Sequence, residues 1–337
     1  MQSIPPPPTS TDTPEDDGLL IACVLDGHGG ARLIDWDAVD AWTDEDGPLW
    51  VHFRRESPRV EQWLRGHMDV PATTVDALLA EETRPRVFRG KKGLAAILRG
   101  VNLNPDADPE DMVAIRMWSD GKRVITVRHH KLLTPRDILA QLIDTQTGPT
   151  TASQLYERLI SRLIDRMAGT VDAYDETLDD IESRLDDDNP SDTRRRLSDV
   201  RQSVVMLRRY MAPQREALNN LLVEPPRWLD ETSRLNLRDT ADKLQRYVEE
   251  LDTARERAMV LKDDIANQLA EATNRTLYAL AIISAVFLPL GFLTGLLGVN
   301  VGGMPGVENP YAFWICCGVM ILLLVGELAL FRRLKWL

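Results

Sequence analysis

Two apolar stretches near the C-terminus decide the fold: 277-LYALAIISAVFLPLGFLTGLL-297 and 311-YAFWICCGVMILLLVGELALF-331. The first stretch contains no charged residue, and the second contains only Glu327. A helix needs about 20 predominantly apolar residues to cross the hydrocarbon core of a bilayer, so each stretch is long enough to do so. The sequence therefore predicts a membrane protein with two transmembrane helices.

The charges around these stretches predict their orientation. Residues 298–310 join them through a short Gly- and Pro-rich loop without Lys or Arg, whereas Arg332, Arg333 and Lys335 follow the second stretch directly. Cytoplasmic flanks of membrane helices carry an excess of Lys and Arg. We therefore expect residues 298–310 to face outward, with the N-terminus and the basic tail, residues 332–337, in the cytoplasm.

The remainder of the chain is a soluble, acidic body. The 337 residues carry a net charge of −12, and we find neither a signal peptide nor a Gly-rich phosphate loop, nucleophile elbow or Walker motif. The cysteines, Cys23, Cys316 and Cys317, form no disulfide framework or zinc-ligand pattern. We expect no enzymatic activity, no cofactor and no nucleic-acid partner.

The N-terminal part is predicted to be a disordered tail, residues 1–17, followed by an α/β (α+β) domain, residues 18–150. LLIACVL and ARLIDW flank a turn at Asp26–Gly30, and a second hairpin is centred on Asp120-Gly121. The other predicted elements are helices near 60–68 and 72–82, and strands near 86–88, 94–103, 112–118 and 123–128.

From Thr151 the apolar residues recur at steps of three and four, which predicts a cytoplasmic helical hairpin over residues 151–228. The first helix is expected to run to Leu185, and the second to be interrupted by Pro213 and closed by Pro225-Pro226. After the N-cap Asp230, a stalk helix over 229–276 should continue into the first span, and the part up to Pro289 would be about 90 Å long. It either transmits movement or is a rigid support.

Small and polar residues form one stripe along the predicted first span, residues 277–297, and bulky residues form the opposite side. The stripe consists of Asn274, Leu277, Ala281, Ser284, Leu288, Gly291 and Gly295. Two helices cannot enclose a water-filled path, so transport would require several copies whose stripes line a common axis. The alternative is that the small residues pack this span against the second one, residues 311–331.

The residues that join the spans resemble a known family. Gly298-Val299-Asn300, the loop with Met304-Pro305, the second span and the basic C-terminus resemble the CorA superfamily of divalent-cation transporters. Val299 replaces the Met of that superfamily's usual Gly-Met-Asn motif, and the surrounding sequence is more similar to the ZntB branch. The resemblance implies a homopentamer, with four further copies of the chain, whose first spans line the pore.

The resemblance also implies the ion and its contacts. Zinc is the expected ion, with magnesium, cobalt, nickel and cadmium as further candidates. The resemblance to the ZntB branch also implies that transport is coupled to protons. Gly298, Val299 and Asn300 would ring the outer mouth, where the Asn300 amide can hydrogen-bond to a hydrated ion. A helix C-cap is the other role that suits Asn300. Glu308 would attract cations, although it is not placed directly after the proline as in the Gly-Met-Asn branch.

Other charged and histidine residues have two interpretations each. Asp172, Asp175, Asp179, Asp180 and Glu182 either concentrate cations or form a solvated helix face. We expect His129 and His130 to be exposed at a strand end rather than to bind metal. Glu327 is expected to snorkel beside Arg332 and Arg333 rather than to relay protons.

These observations favour proton-linked zinc uptake across the bacterial inner membrane. A magnesium or cobalt channel of the CorA type is the first alternative. A membrane-anchored sensor or scaffold that transports nothing is the second.

Overall fold

The computed structural model describes residues 17–67, 71–81, 83–90, 92–185, 189–298, 306 and 308–334. The predicted disordered tail, apart from Asp17, and the last residues of the basic tail, 335–337, lie outside this description. The chain separates into two compact units, Met1–Lys262 and Asp263–Leu337.

A seven-stranded mixed sheet organises the N-terminal unit, in the order β2-β1-β3-β7-β6-β5-β4. Its only parallel neighbours are β3 and β7; the other neighbouring strands that the structure describes are antiparallel. The strands are β1 (Leu19–Leu25), β2 (Ala31–Leu33), β3 (Leu49–Arg54), β4 (Arg86–Arg89), β5 (Leu94–Gly100), β6 (Val113–Ser119) and β7 (Arg123–Arg128). The predicted α/β class of this part is confirmed.

Helices cover both faces of the sheet. On one face lie α1 (Trp36–Ala41), α2 (Pro58–His67) and α3 (Ala72–Leu79), which bury a core against the sheet. In this core the rings of Trp36 and Phe53 stack with their centroids 5.4 Å apart. On the other face lie α4 (Leu133–Ala140), α5 (Ala152–Asp165) and α7 (Pro190–Val223). Because both faces are covered, the central strands are almost entirely buried.

Both predicted hairpins are present. β1 pairs with β2 and β6 pairs with β7, and Gly121 adopts a φ of +91°, which favours glycine over residues with a Cβ atom. The predicted strand over residues 31–36 is too long, however. It ends at Leu33 because the Asp35 side chain accepts a hydrogen bond from the Ala38 N–H and begins α1.

Two expectations for the helical region are wrong. The helix predicted to run to Leu185 is divided at Arg166–Met167 into α5 and α6 (Ala168–Ser183), and Asp137 holds the Arg166 guanidinium at this break. Pro213 does not interrupt α7. A proline inside a helix costs about 3 kcal/mol, which burial of the neighbouring Met211 and Gln214 in the core offsets.

The last two helices are α8 (Glu231–Leu297) and α9 (Ala312–Arg333). Asp230 caps α8 as predicted, because its carboxylate accepts a hydrogen bond of 2.8 Å from the Ser233 N–H. Within the N-terminal unit, α8 buries residues at steps of three, four and seven, as the sequence pattern indicates: Leu244, Val248, Leu251, Ala258 and Leu261.

The Gln214 side chain completes the backbone pairing of β5. The last pair between β4 and β5 is Arg86 with Ile97, so the pairing of these two strands ends before Arg99. The Gln214 amide pairs with the Arg99 backbone, since its oxygen accepts from the Arg99 N–H at 2.6 Å and its nitrogen donates to the Arg99 carbonyl at 3.1 Å. Gln214 thereby fixes α7 to the sheet.

Gln214→Ala should lower the free energy of unfolding by about 1–3 kcal/mol, because it removes two hydrogen bonds between the buried Gln214 side chain and the part-buried backbone of Arg99. Denaturant unfolding of the full chain in detergent measures this loss. Asn219→Ala, an exposed position on the same helix, is the matched control and should have little effect. Equal stability of the two variants would contradict the role of Gln214.

Candidate functional site

Two helices in the C-terminal unit have the length and composition of membrane spans. The apolar windows of α8 and α9 have mean hydropathies of 2.3 and 2.4. Neither window is buried inside the chain, as expected for surfaces that meet lipid or other copies of the chain. The predicted spans, residues 277–297 and 311–331, fall on these helices.

The two sides of the first span differ in how far the chain covers them. The predicted stripe is exposed at every position from Asn274 to Gly295, and Leu288 at 73% is the most exposed of its large residues. A Cβ atom added at Gly291 or Gly295 would meet no atom within 4 Å. The partly covered residues are on the other side: Ile282, Ala285, Val286, Pro289, Leu290 and Leu293.

The bulky side of the first span is the side that faces α9. A cavity of about 290 Å³ lies between them and is lined by Leu293 and Leu297 of α8 and by Ala312, Cys316 and Met320, among other residues, of α9. On α9 the partly covered positions recur with helical spacing, for example Cys316, Met320 and Leu324. The alternative that the small residues pack the first span against the second is therefore wrong, and the stripe remains available for other contacts.

The end of α8 and the start of α9 have local caps. The Gly298 N–H donates to the Thr294 carbonyl at 2.9 Å at the end of α8, and the Asn309 side chain accepts from the Tyr311 N–H at 2.9 Å before α9. Glu308 is exposed beside this cap. Val299 and Asn300 lie outside the described residues, so the ion contact and the C-cap role of Asn300 both stay predictions.

Glu327 is the one charged residue within the second predicted span, residues 311–331. It lies on the partly covered side of α9, and its Oε2 atom is buried without a hydrogen-bond partner in the described part of the chain. Among those same residues it forms no ion pair with Arg332 or Arg333. Snorkelling of Glu327 to the cytoplasmic membrane surface therefore stays a prediction.

The acidic residues of α6 line a groove in the N-terminal unit. This groove has a volume of about 540 Å³ and contains carboxylates from α6 and α8: Asp172, Asp175, Glu176, Asp179, Glu249 and Glu250. Arg257 of α8 pairs with three carboxylates of α6, with nitrogen–oxygen distances of 2.6 Å to Asp175, 2.7 Å to Asp179 and 2.8 Å to Glu182. These hydrogen bonds raise the pKa of Arg257 further above its usual value.

The remaining predicted acid, Asp180, is also paired. Its carboxylate contacts Arg184 and Arg196 at 2.8 and 2.7 Å, and the hydrogen bond from Arg196 lowers the pKa of Asp180. Four of the five predicted acids are thus divided between two sets of arginine partners, and the fifth, Asp172, lines the groove.

The histidine pair is exposed beyond the end of β7, as expected. The centroids of the two rings lie 4.1 Å apart, whereas neighbouring side chains within a strand point to opposite faces. His129 contacts Glu56. In the described residues no group of three or more His, Cys, Asp or Glu side chains is arranged to hold a metal ion.

A polar seam between α5 and the start of α8 was not predicted. Ser153, Glu157 and Ser161 recur every four residues on α5, and Ser233 and Thr240 of α8 are buried opposite them. The signal in the sequence was a set of polar residues at helical spacing beside an apolar face. It was missed because the partner helix lies about eighty residues away along the chain.

Comparisons with known proteins extend over nearly the whole chain. Residues 45–333 match the family model described as CorA-like Mg²⁺ transporter protein. The divalent cation transporter CmaX of Pseudomonas aeruginosa is 38% identical over 333 residues, which cover 96% of this chain and 98% of CmaX. The zinc transport protein ZntB of Yersinia enterocolitica is 34% identical over 93% of this chain and 94% of that protein. The solved structure of full-length CmaX matches with a TM-score of 0.83 and 36% identity, over 96% of this chain and 100% of that chain.

Arg257→Ala should destabilise the packing of α6 on α8 by about 1 kcal/mol, because it removes the cation that several carboxylates share. The loss should be larger at low salt, where repulsion among those carboxylates is less screened. Thermal unfolding of the full chain in detergent, at low and high salt, measures both effects. Arg238→Ala, at an exposed position of the same helix, is the control; equal, salt-independent behaviour of the two variants would contradict the prediction.

Proposed function

The chain belongs to the CorA-like family of Mg²⁺ transporter proteins, and from this premise we propose that it carries zinc across the bacterial inner membrane through a pore of five copies. It is a divalent-cation transporter and not an enzyme, and its fold is that of the CorA family. Three parts are proposals: the choice of zinc, the number of copies and the residues that line the pore.

The observation that carries the proposal is the exposure of the stripe on the first span. The bulky side of that span faces α9, so the chain leaves Ala281, Ser284, Gly291 and Gly295 uncovered. Small residues permit close approach of helices and leave room along an axis. Five first spans whose stripes face one axis would enclose a path that a single pair of helices cannot.

The outer mouth would select the ion while it keeps its water. Divalent cations release water reluctantly, and a ring of Asn300 amides can hydrogen-bond to that water without the charge of a carboxylate. Gly298 and Val299 complete the motif that places these amides, and Glu308 would draw cations toward the mouth. A neutral amide attracts the ion less strongly than a carboxylate would, so the ring does not trap it.

The inner part of the pathway would control access. Asn274 forms a polar ring at the cytoplasmic entrance, and Leu277 and Leu288 form apolar constrictions that gate by dewetting. In this arrangement both termini are cytoplasmic and residues 298–310 face the periplasm, in agreement with the distribution of Lys and Arg.

Zinc is favoured by the Gly-Val-Asn motif and by similarity to ZntB, and uptake is the proposed direction. Magnesium is the second candidate, because the family model that matches residues 45–333 is described by that ion. Glu327 is the candidate for proton coupling. It is the acid within the second span, and its buried Oε2 atom has no hydrogen-bond partner among the described residues.

Purified chain in liposomes should carry Zn²⁺ faster than Mg²⁺ or Co²⁺, and an inward proton gradient should increase zinc influx. Ion-sensitive dyes enclosed in the liposomes measure each flux, with and without the gradient. Faster flux of Mg²⁺ or Co²⁺ would contradict the choice of zinc and would support a magnesium or cobalt channel. Background flux for all these ions would instead support a membrane-anchored sensor.

Asn300→Ala should reduce the initial zinc flux by about tenfold or more, which corresponds to a loss of about 1.4 kcal/mol at the barrier. Asn309→Ala is the matched control, since Asn309 is in the same loop but caps α9. The same liposome assay compares them after both variants are shown to form the same oligomer as the unmodified chain. Full flux in Asn300→Ala, or an equal loss in both variants, would contradict the assignment.

A further inference from the structure

The polar seam between α5 and α8 contains a buried carboxyl group. Glu157 is only 4% exposed, and its Oε1 atom lies 2.5 Å from the Ser161 hydroxyl oxygen. The Ser161 oxygen lies 2.7 Å from the Thr240 hydroxyl oxygen, which in turn lies 2.8 Å from the Asn236 carbonyl oxygen. These contacts form a continuous chain of oxygen atoms from one helix to the other.

The chain of contacts contains one more link than the hydroxyl groups can fill. It has three oxygen–oxygen contacts at hydrogen-bond distance, between Glu157 and Ser161, Ser161 and Thr240, and Thr240 and the Asn236 carbonyl. Each link needs one proton, and a hydroxyl group supplies one. Ser161 and Thr240 together supply two, and the carbonyl supplies none. An ionised Glu157 therefore leaves one contact without a proton.

We infer that Glu157 is a proton-binding site that joins α5 to α8. When the carboxyl group is protonated, it donates to Ser161, Ser161 donates to Thr240, and Thr240 donates to the Asn236 carbonyl. All three links are then satisfied. When Glu157 loses its proton, the seam has to give up one link within a buried contact between helices, which is costly.

The surroundings of Glu157 also favour its neutral form. Burial raises the pKa of this carboxyl group, while the hydrogen bond from Ser161, the nearby Arg158 and the Asn236 side chain oppose that effect. Asp230, at the start of α8, adds a negative charge that raises the pKa further.

Charged groups on the other elements that pack against α5 have partners of their own. Asp137 of α4 pairs with Arg162 and Arg166, and Lys243 of α8 pairs with Asp165. On the strands beneath α5, Arg123 pairs with Asp120 and Arg99 donates to the carbonyls of Thr83 and Met112. The protonation of Glu157 is therefore governed mainly by its burial and by the proton that the three links lack when it is ionised.

The pKa of Glu157 is higher when the seam is closed than when α5 has separated from α8, and this difference sets how stability depends on pH. The stabilisation is fully present below the ordinary glutamate pKa and is lost as the pH rises through the raised pKa of Glu157. Alkaline conditions should thus loosen α5 from the start of α8. Any effect on ion flux rests on the proposed function, because α8 also carries the candidate pore-lining stripe, but proton binding itself does not.

Hydrogen exchange of the full chain in lipid nanodiscs, followed by mass spectrometry over a range of pH, tests the site without measuring transport. After correction for intrinsic exchange, protection of α5 and the first turns of α8 should fall by up to about tenfold per pH unit between the ordinary and the raised pKa. Glu157→Gln should abolish this fall, since its amide remains neutral. Glu176→Gln, an exposed acid on α6, should retain it.

Thr240→Val is the sharper variant. It removes two of the three links and one hydroxyl proton, so the Ser161 proton alone satisfies an ionised Glu157, and the fall in protection should move to lower pH. Thr232→Val, exposed on the same helix, should leave it unchanged. The proposal is overturned if Glu157→Gln keeps the pH dependence of the unmodified chain or if Thr240→Val fails to move it. Failure of zinc transport would leave these outcomes unaffected.

Discussion

A bilayer provides no water for polar groups, and this constraint decides how the C-terminal unit can be used. Each span must satisfy its backbone within its own helix and must place its side chains against lipid or protein. The first span uses its bulky side, including Ile282, Val286 and Leu293, toward α9. Its small and polar side is then left for lipid or for other copies, and a polar stripe is better satisfied by copies that share an aqueous axis.

The N-terminal unit also has to bury its apolar surfaces and give its buried polar groups partners. Its helices cover both faces of the sheet, and a helix side chain can bond to strand backbone, as Gln214 does to Arg99. The α5–α8 seam is the exception, because its hydroxyl groups cannot fill every link when Glu157 is ionised. A buried contact on α8 is thereby made sensitive to pH, and α8 is also the helix that carries the candidate pore stripe.

The sequence allowed prediction of features that depend on local pattern. The apolar spans, the Asp120-Gly121 hairpin and the Asp230 cap were predictable because residue spacing and turn chemistry determine them within a few residues. The break between α5 and α6 and the continuity of α7 through Pro213 were not. Each depends on packing against residues distant in the chain, such as Asp137 for Arg166. For the candidate site, the stripe could be read from helical spacing, whereas the side that faces α9 could not.

The central claim is that first spans from several copies surround one axis with their stripes inward. Cysteine cross-linking in native membranes tests it most directly, with Ser284→Cys compared with Ile283→Cys on the bulky side, after Cys23, Cys316 and Cys317 are replaced. The account predicts that mild oxidation cross-links copies through position 284 and not through position 283. Cross-links through position 283 alone, or none at either position, would contradict it.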